Sequence, residues 1–503
     1  MLPFYQNLPF FTIIACLLFA IATSLTRNGE VAVRLQLVLF ALVAGATTYL
    51  LVNVTAAGQS FEYMLGIVPH PYGNELRCGP LEAALALAFT LVEALCILGG
   101  KEDLFHDIHP SKQTFYFIMG DMLLASLLAM VYTNDLFTAY VFIEINTIAS
   151  CALVQAKDNG ATIAATMRYL TMSLVGSGLF LFGLSLLYWI TGHLLIPNSK
   201  DAIGAIYAAG QYTLPLTLIL GMMMVGLSVK SALYPFHTWL PDAHGSATTS
   251  SSAILSGLVL KGYIVLVLKM IYQVLTPEIF TALHLDIVFL ALGALAMIMG
   301  SVNAIQETHI KRMIAYSSVA QIGYIYLGIG LGTKAAIAAA VYQILVHAFT
   351  KPLLFCCAGE LANASHHHKH FYYLRGSAHR AVLAGLGFTL GGLSMVGIPL
   401  LGGFAVKFYL ADASLMTSWK LFVALGALAV SSVLNALYYL PVIINIWSRD
   451  LHGDEDPLPG LRKKPMRKAF IVSVLGLSCG AVALGVFLQR VFDFLMVGLD
   501  LMM

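Results

Sequence analysis

Two lysines stand inside stretches of hydrocarbon length, where a charge is costly. From Gly221 the sequence runs apolar to Lys230, then breaks into YPFHTWLPDAH (Tyr234 to His244), with two prolines and two histidines. A Ser/Thr run follows, and a second apolar stretch carries Lys261 in LVLKGYIVL. A charge at helix centre costs about 2.5–3.5 kcal/mol on insertion scales, so such a residue is expected to face a water-filled or protein-lined interior. An interruption beside a charge is the pattern of a discontinuous helix lining an ion path. Lys269, late in its span, is read instead as a snorkelling lysine that reaches the headgroups.

Carboxylates and histidines join them. Glu144, in DLFTAYVFIEINTIAS, lies near mid-depth of its helix, and Asp121, in FIMGDMLLAS, is similarly deep one helix earlier. Glu93 sits in the third span. Acids at this depth mark proton relays, and a Glu/Lys pair can exchange partners as protons move. His347 and Lys351, at i and i+4, share a helix face, and a histidine titrates close to neutral pH. GGLSMVGIPLLGGFAVKFYL again sets a break (Gly397, Pro399, Gly402, Gly403) beside a lysine, Lys407. The expected main row is Glu144, Lys230, Lys261, His347 and Lys407, with Asp121, His237, His244, Lys351 and Glu93 as secondary candidates. The plain alternatives are a static ion pair pinning two helices and a hydrogen-bonded structural histidine.

The elements that must position these groups are membrane helices. The chain is 59% hydrophobic and 10% charged, against about 25% charged for a soluble domain. Apolar runs long enough to span a bilayer recur throughout, and roughly fourteen helices are expected. The fold class is an all-α polytopic membrane protein. The first run, Leu8 to Thr23, lacks a basic flank and reads as a membrane helix, not a cleaved signal. Alternating the loops puts most lysines and arginines on one face. Only Arg77, Lys200, Lys334, Lys420 and Arg490 fall opposite, while Lys230, Lys261, Lys269, Lys351 and Lys407 lie within spans. The positive-inside rule makes the basic face cytoplasmic and puts both termini outside. The outer loop Asn53–Gly79 and the basic inner loop Ser448–Lys468 are too small for folded domains.

Several chemistries find no support. The cysteines are scattered, apart from the adjacent Cys356 and Cys357, with no C-x-x-C pair. No strand pattern exists for a Gly-rich nucleotide loop to follow. The HHHKH run (His366–His370) reads as a polar loop. Neither cofactor nor resident metal is expected, nor a nucleic-acid partner. Electron carriage is disfavoured, whereas quinone contact would leave no reliable motif.

YPFHTWLPDAH, flanked by Lys230 and Lys261, resembles the antiporter-like subunits of the complex I superfamily. These comprise the three large pumping subunits of respiratory NADH dehydrogenases and the A and D subunits of Mrp-type cation/proton antiporters. FEYMLGIVPHPYGNELRCGPLEA, KRMIAYSSVAQIGYI and GIPLLGGFAVK extend the likeness over most of the chain, with the Mrp D subunit the nearest. By motif, Glu144, Lys230, Lys261 and His347 take the family's fifth-, seventh-, eighth- and eleventh-helix positions. Lys407 takes the twelfth, and Gln321 stands where some members have histidine. The resemblance implies two inverted five-helix repeats, helices 4–8 (113–273) and 9–13 (274–448), with helices 7 and 12 broken. Residues 1–112 would hold helices 1–3 and the outer loop, and 449–503 the basic loop and final helix. It further implies proton translocation within a multisubunit complex in the cell's inner membrane, by a subunit that is not itself an enzyme. Other membrane subunits, H⁺ and Na⁺ or K⁺ would be its partners. A pumping subunit of a hydrogenase-type or NADH-dehydrogenase-type complex is the alternative, and a stand-alone secondary transporter the third reading.

Overall fold

Backbone polar groups in hydrocarbon must be paired within their own segment, which leaves the helix as the default for runs this apolar. The computed structural model, which describes residues 3–66, 73–448 and 467–502, follows that rule. It opens with α1 (Leu8–Ser24) and α2 (Gly29–Ala57), then a hairpin of β1 (Phe61–Leu65) and β2 (Asn74–Cys78). Next come α3 (Pro80–Gly99), the short α4 (Lys101–Asp107), α5 (Pro110–Tyr132), α6 (Leu136–Gln155), α7 (Gly160–Thr191) and α8 (Ile196–Ala208). The seventh membrane helix is split into α9 (Thr213–Lys230) and α10 (Trp239–Ser246). Beyond it lie α11 (Thr249–Leu275), α12 (Leu285–Gln306), α13 (Ile310–Leu331) and α14 (Lys334–Asn363). The twelfth is split into α15 (Val382–Val396) and α16 (Gly402–Ser414), and α17 (Lys420–Trp447), α18 (Lys468–Val486) and α19 (Leu488–Met502) complete the chain.

Thirteen helices among the described residues are long and apolar enough to cross a membrane, and α15 is a shorter apolar helix. The chain is a multi-pass, nearly all-helical membrane protein. The most apolar window of α11 is 100% buried and those of α13 and α14 are 94% and 89%, against 33% for α17. These three helices therefore form the axis around which the rest is wrapped.

Both breaks have local causes. Ala232, with φ 57°, stands in the left-handed region just after α9, and the two prolines of YPFHTWLPDAH cannot supply helical N–H groups. In the twelfth helix Gly397 has φ 96° and Leu400 φ 72°. A Cβ on Gly403 would lie 1.8 Å from the Ser394 carbonyl oxygen, so only glycine lets α16 start against the end of α15.

Three expectations are corrected. The outer loop is not free of strands: β1 pairs antiparallel with β2, Phe61 opposite Cys78. The hairpin is held by Asn134 donating to Glu75 at 3.2 Å and Asn74 donating to Thr138 at 2.7 Å. Short alternating segments flanked by glycine are easily lost in an apolar background. Lys269 does not snorkel. It is 1% exposed and donates to the Thr133 carbonyl at 2.6 Å, because the α5–α6 junction places a bare carbonyl beside it. The last span is followed by a further helix, α19, whose Asp500 pairs with Lys334 at 2.5 Å and whose Leu501 carbonyl accepts from Arg77 at 2.9 Å. Most of the inner loop Ser448–Lys468 lies outside the described residues.

Candidate functional site

Lys230 is the last residue of α9, where a cation complements the carbonyl end of the helix dipole. Its side chain is 1% exposed and its Nζ donates to the Thr147 hydroxyl of α6 at 2.6 Å. Glu144, one turn away on α6, stands at 3.9 Å, beyond a hydrogen bond, and its Oε1 has no hydrogen-bond partner. The ammonium also lies 5.5 Å from the centre of the Tyr263 ring of α11. Tyr263 continues the polar line by donating to Asn146 at 2.9 Å, and Asn146 donates to Ser126 at 2.8 Å.

In α11 the helix loosens into a π segment at Leu255–Val259. This frees the Ser256 carbonyl, and the Lys261 ammonium takes it. A Cβ on Gly257 would lie 2.5 Å from the Pro352 ring of α14, so α11 and α14 touch there. That contact brings Lys261 near His347, which is 0% exposed and has both ring nitrogens unpartnered. The charges of Lys261, Lys351 and His244 all act on it. Lys351, one turn on, donates to Ser317 at 2.7 Å, to Tyr439 at 3.2 Å and to the Ile314 carbonyl at 3.2 Å.

From Lys351 a hydrogen-bonded chain runs toward Lys407. The Tyr438 hydroxyl donates to the Asn435 carbonyl oxygen at 2.6 Å and lies 3.1 Å from the Ser317 hydroxyl, and the Asn435 amide donates to Tyr324 at 3.3 Å. Lys407 sits over the Tyr324 ring at 5.8 Å and donates to the Val396 carbonyl, the last of α15, at 2.5 Å.

The structure thus groups Glu144 with Lys230, and Lys261 with His347, Lys351 and His244, and links the second group to Lys407. No hydrogen bond joins Lys230 directly to Lys261 among the described residues. Asp121 and Glu93 lie away from this row, between α1, α3 and α5. Asp121 accepts from Thr23 at 3.3 Å, while both Glu93 carboxylate oxygens are buried without a partner. His237, 6% exposed, stacks on Tyr234 with centroids 5.1 Å apart. Gln321 accepts from Gln343 at 2.6 Å.

Asp242, in the break motif, accepts from Arg312 at 2.6 Å and from Arg168, and Arg312 also donates to Glu307 at 2.9 Å. His309, at the N-cap of α13, accepts from the Arg312 N–H at 3.4 Å. Burial, and then the positive charges of Lys369, His370, Lys311 and Arg312, push His309 down to about 3.

Reading charges alone misses Thr147, Ser317, Tyr324, Asn435 and Tyr438, all fully buried or nearly so. A signal exists for some of them: Ser431, Asn435 and Tyr438 fall at i, i+4 and i+7, a polar stripe on an otherwise apolar helix.

Buried lysines set beside two broken helices are a distinctive constellation, and the profile of the NADH:quinone oxidoreductase/Mrp antiporter transmembrane family matches residues 133–434, which hold Glu144, Lys230, Lys261, His347, Lys351 and Lys407. The chain belongs to that family. NADH-quinone oxidoreductase subunit N of Desulforudis audaxviator is 30% identical over 496 residues, covering 97% of this chain and 95% of that one. The same-named subunit of Thioalkalivibrio sulfidiphilus is 28% identical, covering 81% of this chain and 82% of its own. Among solved structures, the archaeal membrane-bound sulfane sulfur reductase superposes with TM-score 0.84 at 24% identity, covering 99% of this chain and 97% of that one. The Mrp complex of Dietzia superposes with TM-score 0.84 at 19% identity, with the same coverage. Complex I of Thermus thermophilus gives 0.72 at 22% identity, covering 97% of this chain and all of that one. These three likenesses show that the family fold is shared from end to end.

Proposed function

We propose that this member of the family translocates protons across the cytoplasmic membrane as one subunit of a multisubunit complex. The observation that carries the reading is the Glu144–Lys230 geometry. The lysine is bonded to a neutral hydroxyl while its carboxylate waits at 3.9 Å. An ammonium keeps its proton while a carboxylate faces it, and releases it more readily when only neutral partners remain in a dry interior. Closing and opening that pair loads and discharges Lys230. The proton then passes to Lys261, His347 and Lys351, and along Ser317, Tyr438, Asn435 and Tyr324 to Lys407. The repeats at 113–273 and 274–448 each supply half of the path.

Glu144 also speaks for a partner subunit. It is 24% exposed, on an α6 face shared with exposed Phe137, Val141 and Ile148. A carboxylate in such a stripe is costly against lipid, and a neighbouring membrane subunit covers it. Relatives named for NADH-quinone oxidoreductase favour a redox-driven complex whose electron-transfer chemistry resides in other subunits; an Mrp-type assembly exchanging H⁺ for Na⁺ or K⁺ is the second reading. The positive-inside tally puts both termini on the outer side.

The test is proton flux in vesicles carrying the complete complex, with assembly followed in parallel. Lys230→Ala and Glu144→Ala should each abolish flux in assembled complexes, Glu144→Asp should keep part of it, and Asp121→Asn should cost less. Wild-type flux in assembled Lys230→Ala would make the lysine a structural anchor and end this reading.

A further inference from the structure

A proton path needs a way in from water, and Lys261, His347 and Lys351 are 0% exposed. Where α3 and α4 meet the ends of α14 and α18 there is a cavity of about 470 Å³. Its lining is largely charged: Glu30, Lys101, Glu102, Asp103, Glu360 and Arg467 all face it, with the polar Asn363 beside them. The face is the basic one, assigned above to the cytoplasm.

The floor of the cavity connects inward. Asp103 accepts from the Asn363 amide at 2.7 Å through one oxygen and from the Thr249 hydroxyl, at the start of α11, through the other. That hydroxyl in turn accepts from Lys311 at 3.4 Å, and Lys311, only 2% exposed, also donates to the Ala247 carbonyl at 3.3 Å. The next titratable group inward is His244. Its ring is 0% exposed with both nitrogens unpartnered, and the charges of Lys311, Lys261 and Lys351 all act on it. Asp103 lies just past the end of α3 and Lys311 at the start of α13, where charges are ordinary, so their positions in the sequence do not mark them out.

We propose that this cavity is the inlet through which protons from the cytoplasmic water reach the row, with Asp103 as the collecting carboxylate and Lys311 as the first buried carrier. The inference rests on the translocation reading above. Asp103 takes a proton from water, passes it to the Thr249 oxygen, and Thr249 gives its own proton to a neutral Lys311. The observed arrangement, Lys311 donating to Thr249 and Thr249 to Asp103, is the state after that transfer: Asp103 is left unprotonated and Lys311 is charged. His244 then links Lys311 to Lys261 and His347. Asp103 is faced by Lys311, Lys369 and the Cys356 thiol, and across the cavity by Glu30, Lys101, Glu102, Glu360 and Arg467.

The experiment is proton uptake from the cytoplasmic side by the assembled complex in vesicles at low and high concentrations of imidazole buffer. Asp103→Asn keeps the side-chain size and one of the two accepted hydrogen bonds but cannot collect a proton. At low buffer it should slow uptake about tenfold, less than the hundredfold or more a positioned acid–base group typically contributes, because Glu102 and Glu360 remain nearby. Concentrated imidazole, which delivers protons itself, should restore most of the rate, and Asp103→Glu should behave as wild type. Lys311→Met should slow uptake at both buffer concentrations. Wild-type uptake in assembled Asp103→Asn and Lys311→Met at low buffer would overturn the inlet. If Lys230→Ala is still inactive in the same vesicles, the inlet alone is wrong; if it too transports normally, the translocation reading falls with it. A loss in Asp103→Asn that imidazole does not restore would make Asp103 a structural tie and likewise overturn the assignment.

Discussion

Replacing Thr147 with valine removes the one hydroxyl that holds Lys230 away from Glu144 and alters almost nothing else in shape. The lysine bonds to Thr147 at 2.6 Å, and a hydrogen bond to a charged group contributes about 1.5–3 kcal/mol. Opposing it is the attraction of a carboxylate at 3.9 Å, about 4 kcal/mol at an effective dielectric of 20. The two are of similar size, which is what a side chain that changes partners requires. Without the hydroxyl, the balance tips toward the closed Glu144–Lys230 pair by about ten- to hundredfold, at 1.4 kcal/mol per factor of ten. Flux should fall by a comparable factor, since the lysine must leave the carboxylate to discharge. Thr147→Ser keeps the acceptor and should stay within a few-fold of wild type. The assay is the initial rate of proton uptake in vesicles, with complex content checked by native electrophoresis. Assembled Thr147→Val pumping at the wild-type rate would refute the argument, because the hydroxyl would then be no counterweight.

Asn435→Leu cuts the line between Lys351 and Lys407 and leaves Tyr438 and Tyr324 each short of a partner. It should cost about 1–3 kcal/mol of stability per stranded group and most of the flux; unchanged flux in assembled complexes would mean that protons bypass this chain. Gly257→Val forces a side chain against the Pro352 ring, where even a Cβ would stand at 2.5 Å. Overpacking of this kind costs about 1–3 kcal/mol, visible as a lower unfolding temperature, whereas an unchanged one would show that α11 and α14 separate freely. His309 is held down to about 3, while an unfolded histidine takes its proton near 6.5. Between those values the unfolded chain binds the extra proton, so stability should fall as pH drops from about 6.5 toward 3. His309→Asn, which can still cap α13, should flatten that part of the pH profile of thermal unfolding; an unchanged slope would place the acid sensitivity elsewhere.

Much of this protein is legible in its residues. Hydrocarbon-length apolar runs leave a chain no option but helices, and both interruptions follow from proline and glycine beside Lys230 and Lys407. The cost of a lysine in hydrocarbon is why Lys230, Lys261 and Lys351 could be singled out without coordinates. Other features depended on which helix faces which. Lys261 is bonded to Ser256 only because α11 loosens into a π segment, which no residue there demands. Lys269 looked like a snorkelling lysine because depth was the only guide, yet the α5–α6 junction gives it a carbonyl to bind. The line Ser317, Tyr438, Asn435 and Tyr324 joins residues more than a hundred positions apart, and uncharged groups carry no burial penalty large enough to announce them. Charge and periodicity are local properties that a sequence states outright. Hydrogen-bond partners across helices are set by packing, and only the tertiary structure decides them.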